Sequence, residues 1–93
     1  MIIGVPKEIK IHEYRIGMTP ASVRELTARG HTVLVETDAG KAIGYTNERY
    51  TAAGADIVSD AQHVFAAAEM IVKVKELQTA ERAMLRPGQI LFT

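Results

Sequence analysis

Five side chains in this sequence have types and spacing that could act together: Glu8, Glu13, Arg15, Lys73 and Lys75. The two lysines close the run Met70-Ile71-Val72-Lys73-Val74-Lys75-Glu76. Its apolar start reads as a strand buried on both faces of a parallel sheet. Alternate residues of an ideal strand share a face, so Lys73 and Lys75 point the same way. Lysines do not suit the middle of such a strand, but they suit its carboxyl end, where open α/β sheets bind ligands. Lys73 lies nearer the buried middle. The strand is therefore expected to twist or end there, sending Lys73 to another partner and leaving Lys75 in the crevice. Arg15 sits in the long connection from Pro6 to Met18, which also carries Glu8 and Glu13. The planar guanidinium grips a carboxylate through two parallel hydrogen bonds, whereas an ammonium acts as a point charge. Convergence of Arg15 and Lys75 would make a site for a small anion such as a 2-oxo acid, with Glu8, Glu13 and Lys73 supporting the cations from behind. The plainer alternative is two solvated lysines at a strand end and a surface arginine paired with Glu13.

Other chemistries lack their residues. With no cysteine there are no disulfides and no thiolate metal sites. His12, His31 and His63 are scattered without metal-ligand spacing, and His12-Glu13 has no second histidine four residues on. No metal site is expected. No Gly-x-Gly-x-x-Gly or P-loop pattern occurs, so no dinucleotide fingerprint lies in this chain. Eleven basic and eleven acidic residues give a formal net charge of zero, with no basic cluster to suggest nucleic acid. No apolar stretch is long enough to span a membrane. The opening Met1-Ile2-Ile3-Gly4-Val5-Pro6 has none of the parts of a signal peptide, which points to the cytoplasm.

The elements that must position the five residues can be read in order. At 93 residues the chain suits one small domain. Ile2–Val5 is a first strand, stopped by Pro6. The Pro6–Met18 connection is longer than most strand-to-helix loops, and its Ile9, Ile11, Tyr14, Ile16 and Met18 predict that it folds down onto the domain. Thr19-Pro20 starts a helix ended by Gly30, and Thr32–Glu36 is a second strand. Thr46 caps a helix from Asn47 to about Ala53, and 55–58 is a brief extended piece. Ser59 or Asp60 caps a helix with Ala61, Val64, Phe65 and Ala68 on one face. The lysine-bearing run is the third strand. Thr79 caps a last turn or two before Pro87-Gly88, and Gln89–Phe92 is a fourth strand. Alternating strands and helices predict an α/β fold: a three-layer, Rossmann-like (flavodoxin-like) parallel sheet, expected order 2-1-3-4. That order places the ligand crevice beside the first strand. An apolar strand at the very end, uncovered on its far side, suggests part of a longer polypeptide.

Gly4-Val5-Pro6-Lys7-Glu8, Glu13-x-Arg15, Thr19-Pro20-Ala21, Arg29-Gly30-His31-x-Val33, Ala39-Gly40, Ala53-Gly54-Ala55, Lys73-Val74-Lys75-Glu76 and the closing Gly88–Thr93 together resemble the amino-terminal region of the alanine dehydrogenases. The resemblance spans the whole chain. It implies a two-domain, NAD-dependent oxidoreductase that interconverts L-alanine and pyruvate plus ammonia, assembled as a homo-oligomer, a hexamer in this family. Residues 1–93 would be the first part of the substrate-binding domain. Arg15 and Lys75 stand where the family's substrate-holding cations stand. The resemblance places the catalytic histidine, the catalytic aspartate and the NAD-binding domain beyond Thr93, so the chain alone is expected to be inactive. Two departures are visible: Ile11-His12 replaces polar residues before Glu-x-Arg, and Leu77 replaces the proline after Lys-Val-Lys-Glu. Two other readings stand beside this one. The nucleotide-binding subunit of proton-translocating transhydrogenase shares the first half of the pattern, and a free-standing anion-binding α/β module would share the charges without the chemistry.

Overall fold

The computed structural model describes residues 1–93. Five parallel strands form one sheet in the order β3-β2-β1-β4-β5: β1 Ile2–Val5, β2 Thr32–Glu36, β3 Asp56–Val58, β4 Met70–Val72 and β5 Ile90–Phe92. The four strands read from the sequence keep their expected order. The brief extended piece extends the sheet as a fifth strand, registered on β2 with Val35 opposite Ile57. The helices are α1 Pro20–Ala28, α2 Asn47–Ala52, α3 Ala61–Ala67 and α4 Thr79–Arg82.

Alternation along β1 assigns the two faces. Ile3 and Val5 join Val33, Val35 and Val72 in a core closed by Val23 of α1 and by Tyr50 and Ala53 of α2. On the opposite face Ile71 packs with Val64, Phe65, Ala68 and Leu77. Gly4 faces this second layer. A Cβ there would stand 2.6 Å from Val64 Cγ1 and 2.7 Å from the Ala68 Cβ, so α3 lies against β1 at a distance only glycine allows. Three layers result: α1 and α2, the sheet, then α3 and α4.

Local chemistry sets the helix starts. Thr19 Oγ1 accepts from Ser22 N, Thr46 Oγ1 from Arg49 N and Asp60 Oδ1 from His63 N. The cap of α4 differs from expectation. It is Gln78, not Thr79, in a reciprocal capping box with Glu81.

The 6–18 connection is folded down in part. Ile16 is buried and Met18 packs against the core, but Ile9, Ile11 and Tyr14 face outward, Ile11 being 82% exposed. Polar links hold the loop instead: Lys10 Nζ donates to Glu76 Oε1 at 2.7 Å, and Glu13 pairs with Arg15. Its return leg crosses the end of β4 at Gly17, where a Cβ would meet the Val72 carbonyl oxygen at 2.6 Å. β5 leaves Ile90, Leu91 and Phe92 exposed. No helix is long and apolar enough to cross a membrane.

Candidate functional site

Because β1 lies between β2 and β4, the connection leaving β1 toward β2 and the one leaving β4 toward β5 run in opposite directions across the sheet. The crevice this opens at the carboxyl ends is the usual ligand position of such folds. A cleft of about 540 Å³ lies at this end of the sheet between the loops that follow β1 and β2, lined by Lys7, Glu8, Lys10, Glu13, Arg15 and Asp38 among others and by no residue of the segment after β4. His12 and Asp38, both at its wall, hold left-handed backbone conformations with φ 65° and 60°. Such conformations cost free energy in residues other than glycine and concentrate at functional sites. The Asp38 turn is held by Asn47 Oδ1, which accepts from Asp38 N at 2.9 Å.

Strand β4 ends at Val72, so the two lysines part company as expected. Lys73 turns inward. Its Nζ donates to Glu8 Oε1 at 2.9 Å and to Glu81 Oε2 at 3.0 Å, and none of the three side chains is more than 2% exposed. Glu8 collects two more donors, Val74 N at 3.0 Å on Oε2 and Lys75 N at 3.3 Å on Oε1. The irregular segment after β4 is thus wrapped round one carboxylate. Lys75, half-buried, hangs from that segment and does not line the cleft that Arg15 lines.

Arg15 and Glu13 form the pair that the plainer sequence reading anticipated. Arg15 Nε donates to Glu13 Oε2 at 3.0 Å and Nη2 to Oε1 at 2.9 Å, while the Arg15 backbone N–H also reaches Oε2 at 2.9 Å. Glu13 is 5% exposed and Arg15 67%. The pairing uses one edge of the guanidinium. The other edge, Nη1 and the second N–H of Nη2, stays open to the cleft side and has the spacing of a carboxylate. The two readings of Arg15 are therefore compatible.

The electrostatics link these groups. The Glu13 carboxyl falls from an ordinary 4.5 to about 2, chiefly through its side-chain and backbone hydrogen bonds from Arg15, with a small share from the Lys75 charge. Arg15 is raised in turn, mainly by Glu13 and slightly by Glu8. Glu76 is lowered, mainly by Lys10 and slightly by Lys75. The contribution of the Glu13–Arg15 pair is present above pH 4.5 and lost as the pH falls through about 2. Carboxyl NMR should place the Glu13 midpoint at about 2 and, in Arg15→Ala, return it toward 4.5. A midpoint near 4.5 in the unaltered protein would mean the pair does not form in solution.

Which acid serves which cation is thereby fixed: Glu8 serves Lys73, and Glu13 serves Arg15. Glu81 escaped the sequence reading. Its one signal was Gln78-x-x-Glu81, a capping box with an uncommon first member. A dinucleotide does not fit these residues. The Glu8 carboxylate, reaching over from the turn after β1, already takes the Val74 and Lys75 N–H groups after β4, where a pyrophosphate would need free N–H groups. At the start of α1 the Ser22 N–H is taken by Thr19, and Pro20 has none. No cluster of three histidines or acids stands ready for a metal.

Residues 4–93 match the family model described as alanine dehydrogenase/PNT, N-terminal domain. The chain is 52% identical to the alanine dehydrogenase of Bacillus subtilis and 50% identical to that of Methanococcus maripaludis. Each match covers all of this chain, and 24% and 25% of the two relatives respectively. A solved L-alanine dehydrogenase superposes with a TM-score of 0.94 at 47% identity, over 98% of this chain and 25% of that one. A transhydrogenase from Sinorhizobium meliloti superposes at 0.90 with 27% identity, over 98% of this chain and 27% of that one. The chain thus spans about a quarter of the length of the curated relatives it matches.

Proposed function

Since the chain belongs to the alanine dehydrogenase/PNT N-terminal domain family, we propose that it supplies the first part of the substrate-binding domain of a cytoplasmic, homo-oligomeric, NAD-dependent alanine dehydrogenase, a hexamer by family resemblance. Identity favours this over the transhydrogenase reading, at 47% against 27% for the two superposed structures. NAD would be held elsewhere in the protein, because Glu8 already takes the Val74 and Lys75 N–H groups.

In this reading Arg15 grips the carboxylate of pyruvate or alanine with its open edge. Lys75 meets the carboxylate or keto oxygen from the β4 side, where a fixed positive charge polarises the carbonyl. Glu13 locks the guanidinium plane, and Glu8 locks the backbone that carries Lys75. The observation that carries the proposal is the two-bond pairing of Arg15 with Glu13, which leaves Nη1 of the guanidinium without a partner in the protein; the hold of Glu8 on the Lys75 N–H supports a role for the second cation.

In the full-length enzyme, Arg15→Lys should keep the charge but lower kcat/KM for pyruvate at least roughly tenfold, because an ammonium cannot serve Glu13 and a substrate carboxylate through two edges. Steady-state kinetics with pyruvate as the varied substrate provides the check. Unchanged kinetics would remove Arg15 from the site.

A further inference from the structure

We propose that Glu81, on the short helix α4, is a positioning residue for Lys75; the inference rests on the reading that Lys75 meets the substrate. Glu81 itself reaches no part of the cleft. It acts through a chain of buried charges: Glu81 Oε2 to Lys73 Nζ at 3.0 Å, Lys73 Nζ to Glu8 Oε1 at 2.9 Å, and Glu8 to the backbone N–H groups of Val74 and Lys75 at 3.0 and 3.3 Å.

The composition of this cluster is what stability alone does not explain. One buried ammonium needs one carboxylate. A second carboxylate gives the cluster a formal excess of negative charge, and burying charge is costly unless it is matched. A well-packed apolar residue at position 81 would serve packing at least as well. The second carboxylate nonetheless has a defined place. Its Oε1 accepts from Gln78 N at 2.9 Å in the capping box, so Oε2 is aimed at Lys73 by the first turn of α4.

One consequence follows for the site. Lys73 is held between two opposed carboxylates rather than drawn fully onto Glu8. Glu8 Oε1 therefore keeps capacity for the Lys75 N–H, the longest of its three bonds. Without Glu81, Lys73 would pull Glu8 toward itself, the Lys75 N–H bond would be the first to go, and the segment that presents Lys75 would loosen.

The test is Glu81→Gln in the full-length enzyme. Glutamine is nearly isosteric and keeps an oxygen for Gln78 N, while removing the charge. A positioning role predicts a kcat/KM for pyruvate lowered roughly tenfold; thermal stability should fall as well, because with its oxygen on Gln78 N the new NH2 group faces the Lys73 ammonium, donor against donor. The discriminating arm is a double-mutant cycle with Lys75→Ala. If Glu81 acts through Lys75, Glu81→Gln should cost almost nothing more in that background. An equal loss in both backgrounds would overturn the inference, as would Glu81→Gln kinetics within about twofold of the unaltered enzyme while Lys75→Ala is impaired. Unchanged kinetics for Lys75→Ala would instead sink the proposed site itself. A readout independent of folding of any variant is amide hydrogen exchange in the unaltered enzyme. Val74 and Lys75 lie outside every strand, yet their N–H groups should be strongly protected by Glu8, and rapid exchange there would refute the arrangement.

Discussion

Replacing Lys73 by methionine should remove roughly 3–5 kcal/mol of stability, because it leaves two carboxylates buried and opposed with no cation between them. The side chains of Glu8 and Glu81 are both 2% exposed, so water cannot take the place of the ammonium. A domain of this size is stable by only on the order of 5–15 kcal/mol, so the loss would leave a substantial unfolded population in mild denaturant. Urea unfolding followed by circular dichroism provides the measurement. The cause can be isolated by neutralising the whole cluster. With Glu8→Gln and Glu81→Gln added to Lys73→Met, much of the loss should return, since the amide oxygens still accept from Gln78 and Val74 while no charge stays buried. A Lys73→Met protein with an unaltered urea midpoint would show that the cluster is solvated in solution.

The second large effect concerns the approach of α3 to the sheet. Gly4→Val should cost about 3 kcal/mol, at the upper end of what overpacking a core costs. Even a single added carbon would meet Val64 Cγ1 at 2.6 Å and the Ala68 Cβ at 2.7 Å, the first on α3 and the second on the residue that caps it against β1. Val64→Ala in the same protein should recover part of the loss, although Val64→Ala alone destabilises, and this reversal of sign is checked by a double-mutant cycle. Strict additivity of the two changes would mean that the helix simply moves away.

Much of this architecture was legible along the chain, because the signals that carried it are local. Thr19-Pro20, Thr46 and the Ser59-Asp60 pair mark helix starts through bonds made within three residues. The apolar runs mark strands by composition alone. What was not legible depends on partners distant in sequence. Residues 56–58 look like an extended scrap until β2 offers them a register. Ile9 and Ile11 suggested burial by their type, but Lys10 and Glu76, 66 positions apart, hold the loop with its apolar side chains outward. In the candidate site the cations were readable from their alternation at a strand end. Their sorting was not. Whether Lys73 or Lys75 turns inward is decided by Glu8, 65 positions before Lys73, and by Glu81 on the next helix, both outside the strand pattern that drew attention to the lysines.

The place of β1 in the sheet also bears on how the chain is made. β1 precedes the other four strands in the chain, yet it lies at the middle of the sheet, with Ile3 registered on Val33 on one side and on Met70 on the other. As the polypeptide leaves the ribosome, β1 can dock with β2 once residue 35 is free, but its second edge has no partner until β4 emerges. Until then an apolar strand presents a row of unpaired backbone groups to solvent. Parallel pairings this distant in sequence form slowly, because a long loop must close before any contact rewards it. The nascent intermediate with β1 half-paired is accordingly the stage at which strand-to-strand aggregation competes with folding.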